Sequence, residues 1–403
     1  MPATATKADS RPAKTDGERN RLQGKRVLFI LPTLGVGGAE RQAFLLAREL
    51  QRNEGASVRI VSVSPPDIPL QLIELCEKEG LSWDRFTLRH TYGQRLLQLW
   101  DLIRFTRFLR RERPDVLLPY CMFPNIVSAL TWRLGGARLC VWNQRDEGRN
   151  RVMRFVERIA VGRINCFISN SEHGAAFLTG ELGVTASRVQ VIGNGVELRE
   201  AQGDRESWRR RLRIPADAFV ACMVANLHGF KDHRTLIDAW TRVVTAVEAT
   251  GRDAHLLLAG SHGDRADEVR RQIEAHGLQQ RIHLLGTVND IGGLLRAIDL
   301  SVFSSVKEGL PNAVLEAMSA GVAVVATDYP GVREALGPGV EDFLAEPKDA
   351  EDLARKIIRV AMDDELRLRA VGHGQRRVAT TFSVSRMSNL TVEVLLKELH
   401  RLA

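Results

Sequence analysis

Two glutamates, Glu308 and Glu316, flank a short turn in the second half of the chain. An apolar run at residues 299–304 leads into this turn and predicts a buried strand. Gly309 permits a tight or left-handed turn, and Pro311 suits the first position of a helix, where a missing N–H group costs no hydrogen bond. Because the N–H groups at a helix start are unpaired and the helix dipole is positive there, the segment could hold an anion.

A lysine occupies a comparable place in the same half of the chain. Lys231 follows the apolar run at residues 219–225 and comes just before a predicted helix. Such a lysine is a mobile point charge suited to a diphosphate, although most loop lysines are simply solvated. Because Lys231 and the segment from Glu308 to Glu316 follow strand ends of one parallel sheet, we expect them on the same rim.

The sequence lacks the residue patterns of several other chemistries. It contains no Asp-x-Asp pair to clamp a metal-bound diphosphate, and its ten histidines show no metal-ligand spacing. It also has no Gly-x-Ser-x-Gly nucleophile turn. We therefore predict no metal and no cofactor, with diphosphate charge neutralised by Lys231, helix starts and an arginine.

A glycine-rich turn, Gly35 to Gly38, follows the first apolar run of the chain at residues 26–31. This arrangement is typical of the opening of a parallel α/β unit. It does not match the dinucleotide fingerprint, because Glu40 stands at the third glycine position and no acidic residue closes a second strand about 20 residues on. Two interpretations stay open, a close backbone approach to a phosphate or sugar and a plain strand-to-helix turn.

The elements that must position these residues form two successive series of alternating strands and helices. A chain of 403 residues is also too long for one ordinary core. The prediction is an α/β protein with two Rossmann-like domains facing each other across a cleft. Its segments are a disordered leader at 1–25, a first domain at 26–205, a second at 206–384, and a terminal helix at 385–403 that could pack back on the first domain.

Composition restricts the setting of the protein. The content of 44% hydrophobic and 26% charged residues fits a soluble globular protein, and no apolar run approaches the roughly 20 residues of a membrane span. The polar N-terminus lacks an apolar export core, and five scattered cysteines indicate reduced thiols. These features predict a cytoplasmic protein.

The net charge of +8 is concentrated in the first half of the chain. It fits either an anionic or membrane-bound partner or a basic disordered tail. The basic helix predicted at residues 94–113 could lie on the cytoplasmic face of an anionic membrane. The favoured interpretation is that its apolar stripe packs on the sheet and its arginines are solvated. Basic segments with interleaved aromatics are lacking, so no nucleic-acid partner is predicted.

Six segments together carry a resemblance to a known family. They are Gly-Gly-Ala-Glu-Arg (37–41), Ser-Asn-Ser-Glu (169–172), Val-Ile-Gly-Asn-Gly-Val-Glu (191–197), Ala-Asn-Leu-His-Gly-Phe-Lys-Asp-His (225–233), Leu-Ala-Gly (258–260) and Glu-Gly-Leu-Pro-Asn-Ala-Val-Leu-Glu-Ala-Met (308–318). In this order and spacing, they make the chain resemble family 4 of the retaining glycosyltransferases from about Arg26 to about Leu396. The resemblance implies the GT-B fold, with an acceptor-binding first domain and a donor-binding second domain.

The resemblance also implies residue roles. Glu308, in the Glu-x7-Glu motif, would contact the donor sugar near the reacting centre, Lys231 would pair with the diphosphate, and Glu316 would bind the ribose hydroxyls. Glu308 and Lys231 form the implied catalytic set. The implied donor-binding set is Gly37, Gly38, Asn226, Val288, Gly309, Leu310, Pro311, Asn312 and Glu316.

The sequence departs from the family pattern in two places. Asn226 stands where many members have an arginine, and Leu118 to Cys121 stand where many carry a histidine. Arg145 is our candidate for an acceptor-side or phosphate-side contact.

The leading hypothesis is retaining, metal-independent transfer of a hexose from a nucleotide diphosphate sugar to a glycan or lipid-linked acceptor, in cell-surface polysaccharide or glycoconjugate synthesis. Two alternatives stay open. One is a nucleotide-sugar epimerase of the same fold, and the other is a non-catalytic subunit that binds sugar nucleotides.

Overall fold

The computed structural model describes residues 20–35, 37–63, 71–88, 95–148 and 153–402. They form two parallel β-sheets with helices between successive strands. The predicted fold class, α/β with two Rossmann-like domains, is confirmed. The leader predicted at 1–25 lies mostly outside the described residues. Its last six residues are ordered, because Leu22 is fully buried and Arg21 pairs with Glu54 at 2.7 Å.

The first sheet has seven strands in the order β3-β2-β1-β4-β5-β6-β7. They are β1 (Arg26–Leu31), β2 (Ser57–Ser62), β3 (Ser82–Arg85), β4 (Val116–Pro119), β5 (Leu139–Gln144), β6 (Cys166–Ser169) and β7 (Val189–Val191). The helices of this half are α1 (Gly38–Glu54), α2 (Gln71–Lys78), α3 (Arg95–Glu112), α4 (Met122–Thr131), α5 (Arg154–Gly162) and α6 (Glu172–Gly180).

The interior strand β1 shows why this sheet is covered on both faces. Phe29 packs in one apolar cluster, and its neighbours Leu28 and Ile30 pack in another. Successive strand side chains point to opposite faces, so an uninterrupted apolar run needs a core on each side.

The second sheet has six strands in the order β10-β9-β8-β11-β12-β13. They are β8 (Phe219–Val224), β9 (Ala254–Ala259), β10 (Ile282–Gly286), β11 (Leu300–Phe303), β12 (Ala323–Thr327) and β13 (Leu344–Ala345). The remaining helices are α7 (Arg205–Arg211), α8 (His233–Glu248), α9 (Ala266–Ala275), α10 (Ile291–Ala297), α11 (Asn312–Ser319), α12 (Pro330–Leu336), α13 (Ala350–Met362), α14 (Asp364–Thr381) and α15 (Val384–Arg401).

Helices α7 and α15 show how the ends of the second half are anchored. Trp208 of α7 is buried in the core of the second sheet, whereas Val392 and Leu395 of α15 are buried in a core of the first sheet. The chain therefore returns to the first domain at α15. The predicted boundaries at 205/206 and 384/385 stay predictions.

Helix α3 packs on the sheet as predicted in its second half but not in its first half. Phe105 and Leu109 are fully buried against the sheet, but Leu96, Leu99 and Trp100 are 83%, 55% and 50% exposed. The prediction that the apolar stripe of this helix packs on the sheet thus holds only for its second half. Among the described residues, no helix is long and apolar enough to span a bilayer.

Candidate active site

A cavity of about 370 Å³ lies between the two sheets, at the carboxyl ends of their strands. In each sheet the strand order reverses between two neighbours, β1 and β4 in the first and β8 and β11 in the second. Residues that follow these four strands, Gly38, Cys121, Lys231 and Glu308, all line the cavity. Parallel α/β sheets bind ligands at such reversal points, because the loops on either side diverge and leave a crevice.

The second domain contributes a paired cation and carboxylate. Lys231 Nζ forms an ion pair with Glu308 Oε1, and Ser305 Oγ donates to the same oxygen at 3.0 Å. Lys231 Nζ also lies 4.4 Å from the centroid of the Phe303 ring. Ser305 is itself fixed, because its N–H group donates to Thr327 Oγ1 at 3.0 Å. The pair is thus held in place on two adjacent strand ends.

The turn after Glu308 differs in two details from its prediction. Helix α11 begins at Asn312, and Pro311 is its N-cap with an extended ψ of 112°, so Pro311 is not the first helical residue. Gly309 is not among the glycines with positive φ. Glycine permits a close approach there, since a Cβ would lie 3.2 Å from the Arg145 carbonyl oxygen and 3.3 Å from Asp146 Cα, and the first domain would have to shift by a few tenths of an ångström.

Asn312 joins the two domains across the cavity. Its Nδ2 donates to the carbonyl oxygen of Gly38 at 3.1 Å, and its Oδ1 accepts from Asn194 Nδ2 at 2.7 Å. Gln42 Nε2 approaches the same Oδ1 at 3.3 Å and also donates to the Gly195 carbonyl oxygen at 2.9 Å. The predicted glycine turn and the Glu308–Glu316 segment therefore meet.

Arg145 extends from the end of β5 over the first-domain wall. Its guanidinium lies 4.3 Å from the Tyr120 ring centroid, and Nη2 donates to Asn143 Oδ1 at 3.1 Å. Its buried Nε has no hydrogen-bond partner among the described residues. Because the Tyr120 ring is fully buried, it holds the Arg145 guanidinium against the cavity wall.

Glu316 lies deeper, on the first turns of α11, and is 6% exposed. Its Oε1 accepts from Arg41 Nη1 at 2.5 Å. Burial raises the pKa of the Glu316 carboxyl above its ordinary value, and the charges of Arg41 and Arg199 oppose that rise. Both arginines come from the first half of the chain.

Seven of the twelve predicted site residues line the cavity. These are Gly38, Arg145, Lys231, Glu308, Leu310, Pro311 and Asn312. Gly37 and Gly309 do not line it themselves, but their sequence neighbours Gly38, Glu308 and Leu310 do. Asn226 is exposed and its Oδ1 accepts from Ser261 N at 2.9 Å, whereas Val288 packs partly on the second core.

Several cavity residues were not identified as site residues from the sequence. They are Ala39, Glu40, Gln42, Cys121, Asp146, Asn170, Asn194, Val224, Phe303 and Ala313. Asn170 and Asn194 belong to motifs that follow strands, which was the available signal. Cys121 adopts a φ of 69° between β4 and α4, a conformation unusual for a non-glycine residue. Burial raises the pKa of the Glu40 carboxyl, and a hydrogen bond from Thr33 partly opposes this.

The described part of the chain contains no group of three or more histidine, cysteine, aspartate or glutamate side chains placed to hold a metal ion. The charged side chains that line the cavity are Lys231, Glu308, Arg145, Asp146 and Glu40.

Two family models match the chain in succession. Residues 36–200 match the model described as "Glycosyltransferase Family 4", and residues 204–377 match "Glycosyl transferases group 1". Together they cover both domains.

Individual relatives agree with these matches. The chain is 30% identical over 249 residues to a D-inositol 3-phosphate glycosyltransferase of Geodermatophilus obscurus, covering 60% of this chain and 54% of that protein. It is 26% identical over 295 residues to the lipopolysaccharide core biosynthesis glycosyltransferase LpsE of Rhizobium meliloti, covering 73% and 79%. The crystal structure of Anabaena HepE with UDP-glucose superposes with a TM-score of 0.78 at 22% identity, covering 92% of this chain and 99% of that one. This last likeness shows the fold.

Proposed function

Because the chain belongs to family 4 of the glycosyltransferases, we propose that it transfers a sugar from a nucleotide diphosphate sugar to a glycan or lipid-linked acceptor. The main structural support for this proposal is the ion pair of Lys231 with Glu308 in the interdomain cavity. The similarity to LpsE, which acts in lipopolysaccharide core biosynthesis, supports cell-surface polysaccharide or glycoconjugate synthesis.

The donor diphosphate would lie between Lys231 and the start of α11. Unpaired N–H groups at that helix start and the Lys231 ammonium both favour negative charge. Arg145 would supply a second cation in place of the arginine that Asn226 replaces. Its position supports this role, because Arg145 lines the same cavity as Lys231 and Asn226 does not.

The reaction would proceed with retention at the anomeric carbon. The bond from that carbon to the diphosphate oxygen breaks, and its electron pair leaves with the diphosphate. The acceptor oxygen then bonds to the same face and gives its proton to the departing diphosphate. Lys231 and Arg145 would stabilise the leaving charge, and the Glu308 carboxylate would stabilise the positive charge on the sugar ring. We propose that no metal or cofactor takes part.

We also propose contact with an anionic membrane surface, through what we call the α3–α5 face. Its apolar members are Leu96, Leu99, Trp100, Met153 and Phe155, all at least half exposed. Its exposed arginines are Arg104, Arg107, Arg154 and Arg158. Exposed apolar side chains and arginines on these two helices fit a surface of anionic lipid, with the apolar side chains at the acyl boundary. A lipid-linked acceptor would be presented at such a surface on the cytoplasmic side.

Thermal unfolding with UDP-, GDP- and ADP-sugars tests the donor assignment. A donor at about 100-fold above its Kd should add about 2.7 kcal/mol of stability to the wild type. Lys231→Ala should lose most of this gain, whereas Lys307→Ala, an exposed neighbour of the site, should keep it. The donor assignment is wrong if no nucleotide sugar stabilises the wild type, or if Lys231→Ala is stabilised equally.

A further inference from the structure

The carboxylate of Glu316 is held by Arg41, a residue of the opposite domain. It lies on α11 of the second domain, with Arg41 of α1 and Arg199 as the opposing charges. Removing a buried carboxylate from water favours its neutral form unless cations and hydrogen bonds replace the water. Arg41, a first-domain residue, therefore supplies the hydrogen bond that offsets part of the cost of burying the Glu316 carboxylate.

Arg41 contacts both sides of this junction. One guanidinium nitrogen, Nη1, donates to Glu316 Oε1 at 2.5 Å, and the other, Nη2, donates to the Glu197 carbonyl oxygen at 2.9 Å. The side chain is only 19% exposed. A planar fork that bonds a carbonyl with one arm fixes the direction of the other arm, which a lysine could not do.

Two contacts, one turn apart, dock α1 against α11. Gly38 and Arg41 on α1 meet Asn312 and Glu316 on α11, respectively. Residues three or four apart share a helix face, so the two contacts form one seam between the domains. Opening the cleft would break both contacts together.

We propose that Arg41 is a positioning residue for the donor ribose: it builds the ribose subsite across the domain seam by fixing the Glu316 carboxylate. The inference rests on the proposed function together with the role that the family resemblance implies for Glu316, binding of the ribose hydroxyls. A carboxylate can accept about four hydrogen bonds. Arg41 takes up part of this capacity at Oε1 and leaves acceptor capacity for a vicinal diol. In this proposal, the ribose binds when the two domains are in contact, because only then does Arg41 reach Glu316.

The proposal predicts that Arg41 controls discrimination at the ribose and not merely affinity. The measurement is calorimetric binding of whichever of UDP, GDP or ADP the wild type binds, compared with its 2′,3′-dideoxy analogue. Hydrogen bonds to a charged group should give the wild type a preference of roughly tenfold or more for the ribonucleotide. Arg41→Met and Glu316→Gln should each reduce this ratio to near one, and the double variant should reduce it no further.

Arg52→Met is the matched control. Arg52 lies on the same helix and pairs with Glu79, away from α11, so its substitution should leave the ratio unchanged. Arg41→Lys keeps the charge without the fork and should give an intermediate ratio, which also tests the idea if Arg41→Met does not fold.

A wild-type ratio that persists in Arg41→Met or Arg41→Lys would overturn the inference while leaving the proposed function intact. Failure of the wild type to bind any of the three nucleoside diphosphates would instead overturn both.

Discussion

Lys231 and Glu308 form an ion pair at the ends of two adjacent strands, β8 and β11, on the wall of the interdomain cavity. Without a donor, each satisfies the charge of the other. A bound donor would separate their tasks, with the lysine at the diphosphate and the carboxylate at the sugar. In the proposed function, the donor would replace this internal ion pair, since its leaving group is anionic and its sugar becomes cationic in the transition state.

Arg145 should be required for the diphosphate. Arg145→Met removes a guanidinium held over Tyr120 at the cavity wall, and we expect donor affinity to fall roughly tenfold or more, because hydrogen bonds to charged groups contribute more than neutral ones. Calorimetry with the donor measures this. Arg138→Met, at the opposite end of the same strand region, is the control. Equal donor affinities in the two variants would exclude Arg145 from the phosphate site.

The close contact between α12 and the Glu308 turn should not tolerate a methyl group. A Cβ on Gly331 would lie 1.4 Å from the Gly309 carbonyl oxygen, a backbone atom in the turn. We expect Gly331→Ala to destabilise the protein by about 1–3 kcal/mol or more and to weaken donor binding. Urea unfolding should show this against Gly162→Ala, whose Cβ would meet nothing within 4 Å. A Gly331→Ala protein as stable as that control would contradict the packing described.

These contacts show what the sequence could and could not predict. The strands, the cavity edge, Lys231 and Glu308 followed from local patterns, because parallel strand ends must share an edge. The contact between Arg41 and Glu316 could not be predicted from the sequence. The two residues are 275 positions apart, and no local pattern indicates which helices face each other across the domains. At Gly309 only the left-handed alternative was wrong, and the close approach to Arg145 and Asp146 is a tertiary contact that no local pattern indicates.

The stability of the second domain should fall in mild acid because of His233. Burial lowers the pKa of this imidazole to about 4, against about 6.5 when unfolded. The unfolded chain therefore binds more protons between pH 6.5 and 4, and native stability falls as the pH drops through this window. The loss should approach about 3 kcal/mol near pH 4. Urea unfolding of the wild type and His233→Gln at pH 7 and pH 4.5 measures it. The wild type should lose more stability than the variant, and equal losses would refute the assignment.

The α3–α5 face should bind anionic vesicles. Leu99 and Trp100 are 55% and 50% exposed, so their burial at the lipid boundary would add apolar area to arginine attraction. We expect the double variant Leu99→Ser/Trp100→Ser to bind phosphatidylglycerol vesicles with roughly tenfold lower affinity, as measured by cosedimentation. Leu368→Ser, at a 68% exposed position on α14, should bind like the wild type. Binding that is insensitive to the double substitution, or equal on neutral vesicles, would rule out this surface.

Turnover by Glu308→Gln tests the role assigned to Glu308 without removing the side chain. The change keeps the side-chain shape and the site for the Ser305 hydrogen bond but removes the charge that would stabilise the sugar in the transition state. With the nucleotide sugar selected by thermal unfolding and a lipid-linked glycan acceptor, release of the nucleoside diphosphate should fall roughly 10²- to 10³-fold, as for loss of one preorganised electrostatic group. Donor binding should be retained, whereas the unfolding midpoint without donor should fall, because Lys231 loses the charge that neutralises it. Turnover within a few-fold of the wild type would contradict the central role assigned to Glu308.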